Sequence, residues 1–455
     1  MEGKEKLLAE NLSYLSIVES EFRAIQEKLP EIKEAGGRAF LVGGAVRDIL
    51  FEKRPVDFDF LITGVSVRDF VSIFPNSKKI EDSLNVYMVY SDLSGFVEVQ
   101  LSSTLDEGIS GRDFSINSIA CELVENYYTD DFDIIDRNEG LSDIECKNLV
   151  ALDGAIKDDP IRIYRGFRFV VKYNLSISQD TAMKFQESVE LLESVKPERV
   201  FEEIKKVFLL EKPSDFFRYL LANNMLHYHF AEISVLAGVP QVEKYHPEGD
   251  VFEHTMLALD RFIELIDEDL IEGEKRCMLA YSILMHDIGK GVTLEEEYPH
   301  HYKHDKFGLD AFDMLIEREG YILPNSWIKA TKFFIKNHMK INYVFRMNPG
   351  KLVRLLERIK RSPFNCIDYT LGVVSDKAGR GETDAFDEEC FNGKIMLLGR
   401  LYTKMYEETS GSDIDHERYS GEEIGEQLFQ LRCRYVKRER NKFFDEYSEV
   451  FGRCV

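Results

Sequence analysis

The chain has 455 residues, of which 44% are apolar and 12% aromatic; that exceeds one core at roughly 100 to 200 residues per domain, and it is too apolar for long disorder. Its 82 acidic against 58 basic residues give a net charge of −24, which excludes a uniformly basic nucleic-acid binder and demands local basic patches for any such partner. The sequence holds no run of roughly 18 uninterrupted apolar residues, no secretory-type N-terminal core and no C-x-x-C pair among its seven cysteines, so a soluble, cytoplasmic protein with reduced thiols is expected.

In chain order, residues 12–35 have helical spacing, and "GGRAFLVGG" is a short strand broken by glycines before "AVRDILFE" resumes the helical period. "VDFDFLITG", "NVYMVYSD" and "GFVEVQLSS" read as strands, which predicts a sheet-based head over 25–125. From "DDPIRIYRGFRFVVKYN" through "TAMKFQESVELLESV" and "PERVFEEIKKVFLL", apolar residues recur at three and four and strand patterns nearly vanish. The turn-rich "GVPQVEKYHPEGD" (238–250) reads as a linker, and a composition shift near 380 opens a charged C-terminal segment. The predicted fold class is therefore α+β, a small mixed β-sheet head followed by a mainly α-helical chain, divided as 1–125, 126–240, 241–380 and 381–455. Two basic runs, "KLVRLLERIKR" (351–361) and "RCRYVKRERNK" (432–442), read either as nucleic-acid patches or as solvated helix faces.

Residues two apart in a strand share a face, so Asp57 and Asp59 place their carboxylates together with Phe58 toward the core. Such a pair is unfavourable without a bridging cation, and hard oxygen ligands suit Mg²⁺ holding triphosphate oxygens, as in two-metal phosphoryl or nucleotidyl transfer. Glu98, mid-strand between Val97 and Val99, is the candidate third carboxylate. Gly43 and Gly44 precede a helix and supply a turn whose free N–H groups can face phosphate. Asp159 and Arg162, three apart on a predicted helix, pair an acceptor with a donor. That pair matches an amino group beside an unprotonated ring nitrogen, an edge that C and A share and G and U lack.

"LVGGAVRD…VDFDF" resembles the first motif of the class II tRNA nucleotidyltransferases, the family of CCA-adding enzymes and bacterial poly(A) polymerases. "GRDFSINSIA" (111–120) resembles the family's sugar- and triphosphate-contacting motif, "DRNEGLSDI" (136–144) its hinge, and "DDPIRIYRGFRF" (158–169) its nucleotide-selecting motif. "KPERVFEEIKKVF" resembles the helical neck, so the likeness runs from residue 37 to about 210. It implies catalytic Asp57, Asp59 and Glu98 with Mg²⁺ on the two aspartates, and nucleotide binding by Gly43, Gly44, Arg47, Arg112, Asp113, Asn117, Asp159, Arg162 and Arg165. The implied partners are the tRNA 3′ end, CTP and ATP, and the implied activity is CMP addition, with AMP addition left open. Gly111 stands for the first Arg of the Arg-Arg-Asp motif, Gly108 for an acid, and Asp158 for the Glu of the selecting motif. The stretch between Glu98 and Asp113 leaves almost no room for the longer flexible loop that members adding all of CCA usually carry, so the resemblance implies efficient CTP addition with slow or missing AMP addition.

His254, His286, Asp287, His304, His338 and Asp376 fall in successive helical segments. So many imidazole and carboxylate groups point to a divalent ion, Mn, Ni, Fe, Zn or Mg, that activates water for attack on phosphorus. The series resembles the HD phosphohydrolase domain fused to some CCA-adding enzymes, which implies phosphatase and 2′,3′-cyclic phosphodiesterase activity. On this reading 1–125 is the nucleotidyltransferase head with its N-terminal helix, 126–240 a helical neck and RNA-binding body, 241–380 the HD domain and 381–455 a helical tail. The rival readings are a bacterial poly(A) polymerase and an HD phosphohydrolase with a degenerate nucleotide-binding head.

Overall fold

The structure, a computed structural model, describes residues 2–81, 85–90, 95–127, 132–266, 271, 273–318, 323–380 and 388–451. The chain divides into two units, Met1–Val195 and Lys196–Val455.

In the first unit, helices α1 (Glu2–Val18), α2 (Ser20–Gln26) and α3 (Leu29–Glu34) precede strand β1 (Arg38–Val42), α4 (Gly44–Leu50), β2 (Asp59–Thr63), α5 (Val67–Ile73) and β3 (Ser77–Glu81). Then come β4 (Val86–Tyr90), β5 (Phe96–Ser102), α6 (Leu105–Ile109), β6 (Ala120–Glu122) and β7 (Ile134–Ile135). These strands form one mixed sheet in the order β3-β4-β5-β2-β1-β6-β7; β2 is parallel to β5 and the other pairs are antiparallel. β5 alternates, burying Val97, Val99 and Leu101, whereas β2 is buried on both faces because it lies at the centre. Leu61 joins Phe40, Val42, Ile109 and Ala120 on one side, and Phe60 meets the Phe22 ring edge-on at 5.7 Å on the other. The unit is completed by α7 (Gly140–Glu145), β8 (Asn148–Leu149), α8 (Ala155–Asp158), α9 (Arg162–Tyr173), β9 (Ser176–Ile177) and α10 (Gln179–Glu187).

Residues 12–35 are three helices rather than one: Glu19 is extended, at φ −99 and ψ 116, and a proline occupies the first turn of α3. β3, β6 and β7 add to the predicted strands. "SKKIE" is too polar to read as a strand, and β6 and β7, of three and two residues, are too short to show a period.

The described part of the second unit is helical: α11 (Pro197–Val207), α12 (Pro213–Ala222), α13 (Ala231–Ser234), α14 (Val251–Leu265), α15 (Gly273–Leu284) and α16 (His304–Arg318), then α17 (Asn325–Asn337), α18 (Pro349–Arg361), α19 (Cys366–Ala378), α20 (Glu388–Glu408), α21 (Glu422–Glu446) and α22 (Ser448–Phe451). α14 packs on α15 and α19, and α17 on α15 and α16; Trp327 is buried against the rings of Phe201 and Tyr281. Residues 238–250 lie within this unit. Pro240 bridges Asp250, whose carboxylate caps α14 by accepting from the Glu253 N–H at 2.8 Å and also accepts from Gly238 N–H at 2.6 Å.

The two basic runs lie on α18 and α21, which pack together and bury Leu352, Leu355, Leu356 and Val436. Lys351, Arg354, Arg358, Arg434 and Lys437 remain exposed on these two helices. None of the described helices is long and apolar enough to cross a membrane. Cys121, Cys146, Cys277, Cys366 and Cys433 are free thiols, but Cys390 is disulfide-bonded, a pairing that depends on proximity in space and not on spacing along the chain.

Candidate functional site

β1 ends at Val42, and the chain turns at Gly43 with φ +69 before α4 begins. That backbone conformation favours glycine, and there is no room for a side chain either. A Cβ on Gly43 would lie 2.9 Å from the Arg112 guanidinium and 3.2 Å from Asp59 Oδ2. The turn is therefore where a cation, a carboxylate and the unbonded N–H groups of a helix first turn converge. Asp59 stands level with Glu98 across the parallel β2–β5 pair and level with Val42 across β1–β2. In-register partners share a sheet face, so Asp59 and Glu98 project together. Asp57 lies two residues ahead of β2 and is exposed, because β1 turns away at Gly43 and leaves it no ladder partner. Burial, with the Asp57 charge, pushes the Asp59 carboxyl above its ordinary pKa even though Arg112, Arg47 and Arg165 pull it down.

Asp113 lies buried behind this turn. Its Oδ2 accepts from Arg165 Nε at 2.9 Å and Nη2 at 2.8 Å, and its Oδ1 from Asn117 Nδ2 at 2.7 Å. Burial opposes its charge, but Arg165 and Asn117 outweigh burial and hold its pKa below the ordinary value. Asn117 Oδ1 accepts in turn from Arg47 Nη1 at 2.6 Å. Arg47 also bonds Asp48 and Tyr173 and lies with Cζ 4.6 Å from the Phe169 ring centroid. One buried network thus ties α4, the 113–117 turn and α9 together. Arg47, Asp113 and Asn117, expected at the nucleotide, are bonded to one another here, and Arg112 is the cation beside the turn.

The single helix expected to carry Asp159 and Arg162 is interrupted. α8 ends at Asp158, Asp159 is extended at φ −150 and ψ 96, and α9 starts at Arg162. The cause is Pro160, which bars the preceding residue from the α region. Arg162 donates from Nη2 to Gly111 O at 2.7 Å and from Nη1 to Ala155 O at 3.3 Å. A cleft of about 810 Å³ opens beside it, with Gly111, Arg112, Arg137, Asp158 and Lys184 among its walls.

The six residues nominated in the second unit converge. His286 Nδ1 lies 2.7 Å from Ile283 O, His304 Nδ1 3.0 Å from His301 O, and His338 Nδ1 3.0 Å from Ile335 O. His254 Nδ1 lies 2.9 Å from Glu248 Oε1. Carbonyls and carboxylates only accept, so every Nδ1 carries a proton, and in the neutral ring every Nε2 turns a lone pair inward. These lone pairs meet only further acceptors: His254 Nε2 is 3.1 Å from Asp376 Oδ1, His286 Nε2 is 3.1 Å from Asp287 Oδ2, and His304 and His338 Nε2 are 3.6 and 3.5 Å from Asp287 Oδ1. His286 Nε2, Asp287 Oδ1 and Asp376 Oδ2 are buried without a hydrogen-bond partner. A cavity lined by inward-facing acceptors fits a cation, and the nitrogen and oxygen donors suit a first-row divalent ion or Mg²⁺.

Two donor sets share Asp287, one with His254 and His286 and the other with His304 and His338; within each, the ligand atoms lie within 4.8 Å of one another. Burial pushes His304 down to about 4, keeping its ring neutral. Against burial, Asp287 and Asp376 raise His286, so a proton and a metal ion compete for its lone pair. Sequence reasoning missed Glu248, His246, Gln241 and Lys290. Glu248 Oε1 holds both His254 and His246, at 2.9 and 2.8 Å, the carboxylate support that orients a ligand imidazole. Lys290 Nζ lies 2.6 Å from Asp287 Oδ2 and 2.7 Å from Gln241 Oε1. A signal was present in "HPEGD", an acid six residues ahead of His254 within a stretch that turn residues made look like a spacer.

Residues 39–89 match the poly A polymerase head domain, and residues 174–236 match the "probable RNA and SrmB-binding site of polymerase A". The multifunctional CCA proteins of Mannheimia succiniciproducens and Stenotrophomonas maltophilia are 26% and 28% identical to the chain, covering 90% and 89% of it and 99% and 100% of themselves. These matches place the chain's similarity with the class II CCA-adding enzymes and poly(A) polymerases. Its fold is also that of the Thermotoga maritima CCA-adding enzyme complexed with tRNA, at TM-score 0.62 and 16% identity over 96% of this chain and 98% of that one. A CCA-adding enzyme complexed with ATP gives TM-score 0.63 at 16% identity, covering 98% and 97% of the two chains.

Two departures from the class II pattern have structural causes. A Cβ on Gly108 would sit 2.5 Å from both Leu61 Cδ atoms, so α6 packs on β2 too closely for the acid expected there. Gly111 has open space around it but a φ of +78, which an arginine adopts only with strain. Gly108→Ala is expected to destabilise the first unit by about 1–3 kcal/mol through overpacking, read as a lower urea midpoint. An unchanged midpoint would show that α6 does not press on Leu61.

Proposed function

We propose that the chain adds nucleotides to the 3′ end of tRNA without a template, using CTP and, less well, ATP. The observation that carries this is the in-register pairing of Asp59 with Glu98 beside the Gly43 turn and Arg112. Asp57, Asp59 and Glu98 would hold Mg²⁺, which supplies activation of the terminal hydroxyl and charge neutralisation at the leaving pyrophosphate. Arg112 and the first-turn N–H groups of α4 seat the triphosphate, and the Arg47–Asn117–Asp113–Arg165 network keeps them in place. Asp159 and Arg162 select the base; Arg162 reads a base edge only after releasing the Gly111 carbonyl. The exposed cations of α18 and α21 supply positive charge for an RNA backbone. Curated relatives called multifunctional CCA proteins, and similar structures holding tRNA, ATP or CTP, support the reading.

The five-residue helix α6 stands in the stretch after β5, capped by Thr104 accepting from Glu107 N–H at 3.3 Å. A packed helix is a poor lever for reshaping a base pocket between cytosine and adenine. A tRNA lacking its last three nucleotides is expected to gain two cytidines from CTP, whereas a tRNA ending in CC and given only ATP stays largely unextended, read by 3′-end sequencing. Rapid, complete A addition would overturn this and place the switch elsewhere.

A second reading concerns the second unit and rests on its inward-facing acceptors. We propose that His254, His286, Asp287 and Asp376, with His304 and His338, hold divalent metal for hydrolysis of phosphomonoesters or 2′,3′-cyclic phosphates, as in HD phosphohydrolases. The metal supplies a hydroxide nucleophile at neutral pH. Glu248 and the backbone carbonyls fix each imidazole with Nε2 inward, and Lys290 balances the Asp287 charge.

A further inference from the structure

A cavity of about 610 Å³ opens on the Asp287 and Asp376 side of the histidine cluster. Its walls include Lys377 and Arg380, one residue and four residues beyond Asp376, with Tyr245, Tyr343 and His300. Lys377 is 7% exposed, yet among the described residues its ammonium has no carboxylate within ion-pair distance and no hydrogen bond. The Arg380 Nε is likewise buried without a partner. This differs from Lys290, which lines the same cavity but bonds both Asp287 and Gln241.

Burying an unpaired cation is costly. Placing a buried lysine and a half-buried arginine within four residues, in a cavity that already contains Lys290, adds repulsion between like charges. Asp376 is the neighbouring anion, but Lys377, Arg380, His254 and His286 all draw on it at once, so one carboxylate stands against two cations as well as the donor cluster. Among the described residues the pair is left with excess positive charge, which an anion from outside the protein would balance. A guanidinium and an ammonium together match the oxygens of phosphate, the first as a planar fork and the second as a point charge. The tyrosine and histidine walls offer apolar ring faces beside that charge, as a nucleoside requires.

We infer that Lys377 and Arg380 form a phosphate subsite that seats the phosphoryl oxygens of a nucleotide substrate next to Asp287 and Asp376. The inference rests on the hydrolase reading of this unit for the identity of the substrate, but not for the binding of phosphate itself.

The test uses the full chain, wild type against Lys377→Gln and Arg380→Gln, with Lys377→Arg and Arg380→Lys as conservative controls. Inorganic phosphate is titrated calorimetrically into metal-free and Mn²⁺-loaded protein, and Mn²⁺ affinity is measured separately. Losing one charge-assisted contact should weaken phosphate binding about tenfold in both states, with the conservative variants close to wild type. The KM for 2′,3′-cyclic AMP should rise in parallel, with kcat little changed. Mn²⁺ affinity should stay the same or tighten, because removing a nearby cation cannot weaken a metal electrostatically. Unchanged phosphate affinity in both glutamine variants overturns the subsite, as does wild-type protein that fails to bind phosphate. A parallel fall in Mn²⁺ affinity would make the two side chains braces for Asp376 instead. Wild-type protein that binds phosphate but hydrolyses no cyclic nucleotide with any divalent metal would keep the subsite and defeat the hydrolase reading.

Discussion

Asp59→Asn is expected to stop Mg²⁺-dependent nucleotide addition and, in metal-free buffer at neutral pH, to make the protein more stable. The side chain lies level with Glu98 and faces the glycine turn, where burial and the Asp57 charge outweigh the pull of Arg112, Arg47 and Arg165 unless a metal cation is bound. Losing that metal ligand forfeits several kcal/mol of transition-state stabilisation, which at about 1.4 kcal/mol per factor of ten means a rate loss on the order of a thousandfold or more. The stability gain has a definite sign. Burial and Asp57 raise the Asp59 pKa, so the folded state binds this proton more tightly than the unfolded state. The stability that follows is present below the ordinary carboxyl pKa of about 3.9 and is lost as pH rises through the raised value. Asparagine removes the penalty at neutral pH, so the melting temperature measured in chelator should exceed that of wild type at pH 7, and the difference should vanish as pH approaches 4. Retained incorporation would remove Asp59 from the catalytic set, and a lower melting temperature at pH 7 would show that its charge is already satisfied within the protein.

Asp287→Asn is expected to empty both donor sets of the second unit, because Asp287 is the residue they share. Its two oxygens face different partners: Oδ2 meets His286 and Lys290, while Oδ1 meets His304 and His338. Replacing one oxygen by an amide removes charge from both sides and gives the inward-facing lone pairs a donor in place of a metal. Bound divalent metal, read by elemental analysis after dialysis, should fall close to zero, and 2′,3′-cyclic nucleotide hydrolysis should disappear. Addition of CMP to tRNA should be unchanged, since Asp59 and its partners belong to the other unit. His304→Ala touches only one donor set and should leave the His254–His286–Asp287 set able to bind. Full metal content in Asp287→Asn would contradict the shared-ligand arrangement, and loss of CMP addition would show that the two activities are not separate.

Much of this was legible along the chain, and the limits follow from what a linear pattern records. Period-two alternation marks Val97, Val99 and Leu101 and hence the outward-facing Glu98. The Gly-Gly pair between a strand and a helix marks the turn, since few other sequences make that bend. The histidines were nominated because six metal-type residues in one run of helices are hard to place in an apolar core. The reading failed where a local rule met a competing one: the i, i+3 spacing of Asp159 and Arg162 suggested one helix until Pro160, with its veto on the preceding residue, is taken into account. Turn residues in "HPEGD" suggested a spacer, although the same residues let the chain fold back so that Glu248 reaches His254.

The sequence by itself indicated the sheet-then-helix order, the candidate carboxylates of the head and the candidate imidazoles of the second unit, because periodicity and residue chemistry are properties of short stretches. Tertiary structure alone decided which charges are spent and which are open. Arg47, Asp113 and Asn117 look like ligand-binding residues in one dimension and in space are also bonded to one another, whereas Lys377 and Arg380 look like ordinary helix-end cations although Lys377 is buried and the Arg380 Nε has no hydrogen-bond partner. The reason is that satisfaction of a polar group depends on its neighbours in space, many of them tens of residues away, and on whether water reaches it. Chain spacing encodes neither quantity.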